Sequence, residues 1–357
     1  MRQTVCANNQ FTEDGSISEV TVIGIDLAKN VFELAGQNRG GRIIYRKRVR
    51  RSKLLETVAQ LPSCLIAMEA CGGSHHWARE FAALGHRVRL LPAQYVKPYR
   101  VGPKNDRRDA EAVCEAATRS QVPEVAVKTR NQQAMQGLHR VRSQLVGQQT
   151  ALSNCARGLL QEFGIAVPRG RAPLRRALAE ILAGSNLPED LVVALQAIAE
   201  QLRELAERTG QLTARIEQAA RADERHRTLL SARGVGPITV TAFTATIGDP
   251  SAYANGRQVA AAIGLVPAQN SSGDRERLLG ISKRGDRYLR SLLVHGARSA
   301  LKAARGKSDP LSRWMCRLAD RRGHNKAVVA IANKTARILW AMMKSGESFA
   351  PERAVAA

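Results

Sequence analysis

The chain has 357 residues, enough for two or three domains that each bury a core. Its 55 Lys and Arg against 31 Asp and Glu leave a formal charge of +24 and an isoelectric point near 10.8. That excess points to a polyanion, nucleic acid ahead of an acidic membrane surface. No apolar run approaches the roughly 20 residues of a transmembrane helix. The start MRQTVCANNQFTEDG has no signal-peptide core and reads as a disordered tail over residues 1–17.

In chain order, VTVIGIDLA (residues 20–28) is an apolar, β-branched run that reads as a buried strand. VFELAGQN, a Gly40-Gly41 turn and RIIYRKRV then predict an antiparallel meander of three strands. A helix over residues 52–61 follows, and CLIAMEA predicts a fourth strand ending at Glu69. GGSHHWAREFAALG predicts a helix closed by Gly85, and HRVRLLP a fifth strand stopped by Pro92. A further helix is expected from Asp106 to Thr118. Three meandering strands followed by alternating helices and strands give the order of a ribonuclease H-like α/β domain, placed at residues 18–125.

Residues 126–225 read as helical. Leu138, Leu145, Leu152 and Leu159 recur every seven residues, and VPRGRAP interrupts the pattern. Leu191, Leu195, Ile198, Leu202, Leu205, Leu212 and Ile216 then step by fours and threes, with Thr209 as the polar exception. Such an a/d seam fits an intramolecular hairpin or a coiled coil between subunits equally well. Residues 226–345 are expected to form a mostly helical third domain, with a frayed tail at 346–357. Within it, residues 275–326 hold fifteen Lys and Arg against four Asp and Glu.

The cysteines (Cys6, Cys64, Cys71, Cys114, Cys155, Cys316) show no zinc spacing. They are expected to be reduced and mostly buried, as in a cytoplasmic protein. His75 and His76 point in different directions on a helix and make a poor metal pair.

Two strands end on carboxylates, Asp26 after VIGI and Glu69 after LIAM. Such acids are costly to desolvate without a cation or donors. If the first and fourth strands are neighbours, the two acids converge at one sheet edge. Asp106 and Asp109 share a helix face at i and i+3, and a helix crossing those strand ends would bring four carboxylates together. Mg²⁺ is the natural occupant of such a cage (Mn²⁺ as a substitute), and paired ions can hold both oxygens of a phosphodiester displacement. Lys104, Arg107 and Arg108 would then form a phosphate-facing rim. A solvated, salt-bridged helix surface also accommodates the helix pair taken alone.

In NSSGDRERLLGISKRG, Ser271, Ser272 and Gly273 form a small-residue turn followed by Asp274, Arg275 and Arg277. It reads as an ordinary loop or as a nucleophilic hydroxyl beside guanidinium groups that hold a phosphate. Arg275, Arg277, Lys283, Arg284, Arg287 and Arg290 are the candidate phosphate contacts. GVGP, with Gly234 and Gly236, reads as a turn between helices whose bare amides can grip a phosphate.

VIGIDLAKNVFELA, AMEACGGSHHWA, NDRRDAEA, GVGPITVTAFTATIGD and GLVPAQNSSGDRERLLGISKRGDRYLRSLL stand in one order. Together they resemble the DEDD-type transposases of the insertion-sequence family numbered one-ten, its eleven-eleven branch in particular, from about residue 20 to about 345. The resemblance implies a RuvC-like N-terminal domain, a coiled-coil insertion and a C-terminal transposase domain. The family's acids fall on Asp26, Glu69, Asp106 and Asp109, and its serine on Ser272, with Ser271 adjacent. It also implies DNA recombination guided by an element-encoded bridge RNA, a covalent serine–DNA link and a homo-oligomer (dimer or tetramer) built across subunits.

Three other readings compete. One is a metal-dependent junction-resolving nuclease without a covalent intermediate, in which water attacks. Another is an actin-like phosphotransferase, disfavoured because Ala28, Lys29 and Asn30 stand where a further glycine and a hydroxyl residue would be needed. The last is a non-enzymatic nucleic-acid binder. Aromatic residues make up only 4% of the chain. Binding is therefore expected to rest on phosphate and shape, with strong salt dependence.

Overall fold

VIGID forms β1 (Val22–Asp26), whose apolar residues barely alternate because both faces are covered. The chain returns as β2 (Val31–Gln37), and β3 (Ile43–Arg50) completes the expected antiparallel meander. After α1 (Leu54–Ala59), β4 (Leu65–Glu69) lies parallel to β1. Then α2 (Ser74–Ala83) leads to β5 (Arg87–Leu91), parallel to β4. The short α3 (Ala93–Val96) precedes α4 (Asp106–Thr118). The sheet order is β3-β2-β1-β4-β5, a mixed sheet consistent with the ribonuclease H-like expectation.

A computed structural model of the protein describes residues 17–103, 105–184, 186–273 and 275–351. Lys104, Asp274, Cys6 and the expected tails, save residues 17 and 346–351, lie outside the described residues. The chain divides into two units, Met1–Thr129 and Arg130–Ala357.

Alternation sorts the strand side chains onto two faces. Ile23, Ile25, Phe32 and Ile66 pack with Leu54, Val58, Trp77 and Phe81 from α1 and α2. On the other face Ala35 and Ala67 meet Ala110, Val113, Cys114 and Ala117 of α4. Gly24 sits centrally on that face. A Cβ there would stand 2.3 Å from the Ala110 carbonyl oxygen and 2.7 Å from the Cys114 nitrogen. The Gly24 N–H donates to Cys114 Sγ (3.0 Å), and that thiol donates to the Ala35 carbonyl (3.0 Å). Burial pushes the Cys114 thiol up to about 12, so it stays protonated and able to donate. Gly24→Ala is therefore expected to lever α4 off the sheet, at a cost of about 1–3 kcal/mol or more. Urea denaturation reads this as a lowered midpoint; an unchanged midpoint would contradict this packing account.

The second unit opens with α5 (Arg130–Glu162), α6 (Arg171–Gly184) and α7 (Glu189–Ala222). α5 and α7 pack on each other, so a seam between them forms within the chain. Its composition differs from the expected one. Leu138, Leu145, Leu152 and Leu159 are only partly buried, whereas His139, Gln149, Ser153, Ala156 and Leu160 are covered. Small and polar residues line the crossing because side-chain hydrogen bonds span it. Gln149 Nε2 donates to Thr209 Oγ1 (3.0 Å), and Arg142 Nε to Thr213 Oγ1 (2.8 Å). Thr209 is buried because it has that partner.

The remaining helices are α8 (Glu224–Leu229), α9 (Pro237–Ile247), α10 (Gly256–Ala262), α11 (Arg287–Ala304), α12 (Pro310–Arg322) and α13 (His324–Ser345). They enclose a core that includes Phe243, Leu293, Ile331 and Leu339. Between α10 and α11 the stretch read as a loop is a β-hairpin, β6 (Pro267–Gln269) with β7 (Leu278–Ile281).

His139 ties α5 to these helices, with Nδ1 3.1 Å from Tyr288 Oη and Nε2 3.0 Å from Thr241 Oγ1. Burial, aided by the Arg142 charge, lowers its pKa to about 4. The unfolded imidazole takes up a proton near pH 6.5, but the folded one does not until about pH 4. Stability is thus present above pH 6.5 and is lost as pH falls towards 4, by up to about 3 kcal/mol. His139→Gln should flatten that part of the stability–pH curve. Equal slopes for variant and wild type between pH 7 and 4.5 would contradict the assignment.

Of the five described cysteines, all free thiols, only Cys64 and Cys114 are buried. Cys71 and Cys155 are exposed and Cys316 is partly covered, which corrects the expectation that most are buried. Among the described residues no helix is long and apolar enough to cross a membrane.

Candidate active site

Asp26 closes β1 on the α4 face of the sheet. Above it Asn105 caps α4, its Oδ1 accepting the Arg108 N–H at 2.8 Å, and so sets Asp106 and Asp109 in the first turn. Carboxylates suit that position because the helix terminus presents unpaired N–H groups. One oxygen each from Asp26, Asp106 and Asp109 lies within 4.8 Å of the others. Asp106 is exposed, while Asp26 and Asp109 are half-buried. Arg100 Nη1 stands 3.2 Å from Asp109 Oδ1 and supplies part of the charge compensation.

Glu69 is not in that close group. The parallel register, continued one residue past Ile25↔Met68, sets it beside Asp26 on the same face. Both acids act electrostatically on Cys71, whose thiol is pushed up chiefly by burial and then by their charges.

A fifth acid was not anticipated. Glu33 pairs with Asp26 across β1 and β2, and Arg48 pairs with Glu33 across β2 and β3, so the three form one row on the α4 face. Arg48 Nε lies 3.2 Å from Glu33 Oε1. Burial raises the Glu33 pKa; Arg48 opposes the rise and the neighbouring Asp106 charge adds to it. The signal was available in VFELAG, but only the strand register shows which residue faces Asp26.

The expected rim is partly engaged. Arg107 Nε lies 3.6 Å from Glu111 Oε1, which Arg46 also approaches at 2.9 Å. Arg108 donates to the Pro103 carbonyl (3.2 Å), and Lys104 lies outside the described residues.

All three grouped residues offer hard oxygen donors, the type Mg²⁺ or Mn²⁺ prefers. Ligands of one octahedral Mg²⁺ at roughly 2.1 Å stand about 3–4 Å apart, so the observed spacing needs only a small side-chain adjustment. The donor set fits a divalent cation.

In the second unit, Ser271, Ser272 and Gly273 form the tip of the β6–β7 hairpin, closed by paired Ser272 and Arg275 backbones. The two serines differ. Ser271 Oγ accepts from Gln269 Nε2 (3.0 Å) and from the Arg277 N–H (3.1 Å). Ser272 is exposed, and its hydroxyl makes no such bond among the described residues. Arg275, Arg277, Lys283, Arg284 and Arg287 are exposed, and Lys283 adopts a left-handed φ of 55°. Arg290 Nη1 donates to the Ile263 and Arg284 carbonyls, both at 2.7 Å, and so braces the turn before α11. Gly234 packs on α11, where a Cβ would stand 2.3 Å from the Gly296 carbonyl oxygen. Gly236 precedes Pro237 at the start of α9 and has open space around it.

A five-stranded mixed sheet with carboxylates gathered at the end of its first strand is consistent with the ribonuclease H-like class of nucleic-acid enzymes. Residues 23–165 match the profile of DEDD transposases of the IS110 type, and residues 226–310 match the Transposase IS116/IS110/IS902 family. A probable family 20 transposase of Pseudomonas aeruginosa is 47% identical over 332 residues, 92% of this chain and 98% of that protein. The transposase for insertion sequence element IS1111A of Coxiella burnetii is 42% identical over 336 residues, 94% of this chain and 92% of its own length. The transposase for element IS1328 of Yersinia enterocolitica is 39% identical over 330 residues, 92% and 98% of the two chains. The chain belongs to the IS116/IS110/IS902 transposase family, enzymes that cut and rejoin DNA.

Proposed function

We propose that this transposase exchanges DNA strands through two chemical parts, a divalent-ion site on Asp26, Glu69, Asp106 and Asp109 and a nucleophile at Ser272. The observation carrying this reading is the approach of the Asp26, Asp106 and Asp109 oxygens to within 4.8 Å of one another. A bound Mg²⁺ or Mn²⁺ would supply charge stabilisation at the scissile phosphate. Asp26, Asp106 and Asp109 would hold it, with Glu69 of β4 as the fourth acid, and Arg100 fixes the Asp109 carboxylate.

Ser272 Oγ bonds to phosphorus as the P–O3′ bond breaks, and the proton lost by the hydroxyl ends on the departing 3′ oxygen. One phosphoester replaces another, so the step needs no ATP and reverses on a new strand. Arg275 and Arg277 lie in the Ser272 loop, where guanidinium groups would oppose the developing phosphate charge. In this layout residues 18–125 carry the carboxylates, 126–225 the long helices and 226–345 the serine.

Sequence choice is delegated to an element-encoded bridge RNA, in keeping with a +24 chain that has few aromatic residues for stacking. The active form is a homo-oligomer that combines the two parts from different subunits, acting on nucleoid DNA in the cytoplasm. The reading is tested by incubating the protein with element-end DNA, target DNA and the RNA. Strand transfer requiring both divalent ion and RNA is expected. Transfer in excess chelator, or at an undiminished rate without RNA, would overturn the corresponding part.

A further inference from the structure

At the same end of the sheet as Asp26, the chain leaves β3 through RRSK and forms a cavity of about 630 Å³. Asn30, Arg50, Arg51, Ser52, His76 and Trp77 line it. Arg51 is held in place from several sides. Its N–H donates to the Asn30 carbonyl (2.8 Å), and its Nη1 lies 3.5 Å from the Lys29 carbonyl oxygen. Its guanidinium carbon stands 5.3 Å from the Trp77 ring centre and 6.0 Å from that of Phe32. Both rings are buried, so the guanidinium rests on an aromatic floor with its outer side towards solvent. The His76 ring, half-exposed, stands 5.0 Å from Trp77.

We infer that this cavity holds a nucleotide of the DNA strand running to the carboxylates, an inference that rests on the proposed function for the identity of that strand. Three observations carry it. The cavity exceeds the lower size range of small-molecule pockets, and it combines aromatic and polar walls. A planar guanidinium and an imidazole offer stacking surfaces for an unpaired base. Residues 46–53 contain six Lys or Arg; Arg46, Arg48 and Lys53 pair with Glu111, Glu33 and Glu56, and Lys47, Arg50 and Arg51 outside those pairs complement a phosphate backbone. The cavity opens at the Asp26 end of the sheet, on the α1–α2 face that carries Phe32 and Trp77, opposite the α4 face that carries Asp26. The cavity thus holds one base out of the stack on a strand that rounds the end of the sheet to reach Asp26.

The test places 5-iodo-2′-deoxyuridine singly at each position flanking the scissile phosphate, irradiates the complex with full-length protein, and maps the adducts by mass spectrometry. Cleavage is followed in parallel. A crosslink to the segments holding residues 50–53 or 76–77, from one of the positions flanking the scissile phosphate, is expected. Arg51→Ala, an exposed position, should lower its yield about fivefold or more, and His76→Ala should also reduce it. Cleavage with crosslinks only elsewhere, crosslinks here from RNA alone, or yields unmoved by both variants would overturn the inference. A specific crosslink here in protein that cuts without divalent ion would instead overturn the metal reading and leave the cavity assignment standing.

Discussion

Asp26→Asn and Asp109→Asn are each expected to abolish detectable strand cleavage while leaving DNA binding within about twofold. Each substitution keeps the side chain's size and removes one charge from a group of oxygens that otherwise lie within 4.8 Å of one another. Loss of a supporting contact around a metal ligand costs roughly 10–100-fold, so loss of a ligand should exceed a hundredfold. Binding is spared because it rests on a +24 surface that hardly notices one added charge. Glu33→Gln makes the useful contrast. Glu33 faces Asp26 across the strands but is paired with Arg48. It should reduce cleavage far less than Asp26→Asn. Equal losses would move Glu33 into the ligand set. Cleavage persisting in Asp26→Asn would remove the acidic group from the chemistry.

Ser272→Ala is expected to eliminate a covalent protein–DNA adduct, whereas Ser271→Ala should lower adduct yield without eliminating it. The difference follows from hydrogen bonding at the hairpin tip. Ser271 Oγ is occupied by Gln269 and by the Arg277 backbone, so its loss loosens the loop. Ser272, exposed and without such a bond among the described residues, carries the attacking hydroxyl in the proposed mechanism. Denaturing gels of labelled element-end DNA, with and without protease, read the adduct. An adduct from Ser272→Ala protein but none from Ser271→Ala would reverse the assignment. Cleavage without adduct in the wild type would favour water as the attacking group, as in a junction-resolving nuclease.

The sheet and the close acidic group were legible because they rest on local signals. An apolar β-branched run ending in Asp26 marks a buried strand end, and NDRRDAEA carries its own helix cap in Asn105. Glu33 was not legible in this way, since its partnership with Asp26 depends on strand register. Leucine spacing marks α5 as helical, but not which of its positions the crossing covers. The covered positions are instead small or polar residues paired across the crossing, Gln149 with Thr209 above all. The β6–β7 hairpin has little sequence signature because its strands span three and four residues, mostly exposed, and include Pro267 and Gly280. Close helix approach to a strand was written in Gly24, yet only the position of Ala110 and Cys114 reveals what that glycine admits.

The most direct measurement is anomalous diffraction from crystals of the full-length protein soaked in Mn²⁺. A peak within bonding distance of Asp26, Asp106 and Asp109, absent in Asp26→Asn crystals, is the predicted result. Mn²⁺ peaks at other sites with none between those three side chains would contradict the account.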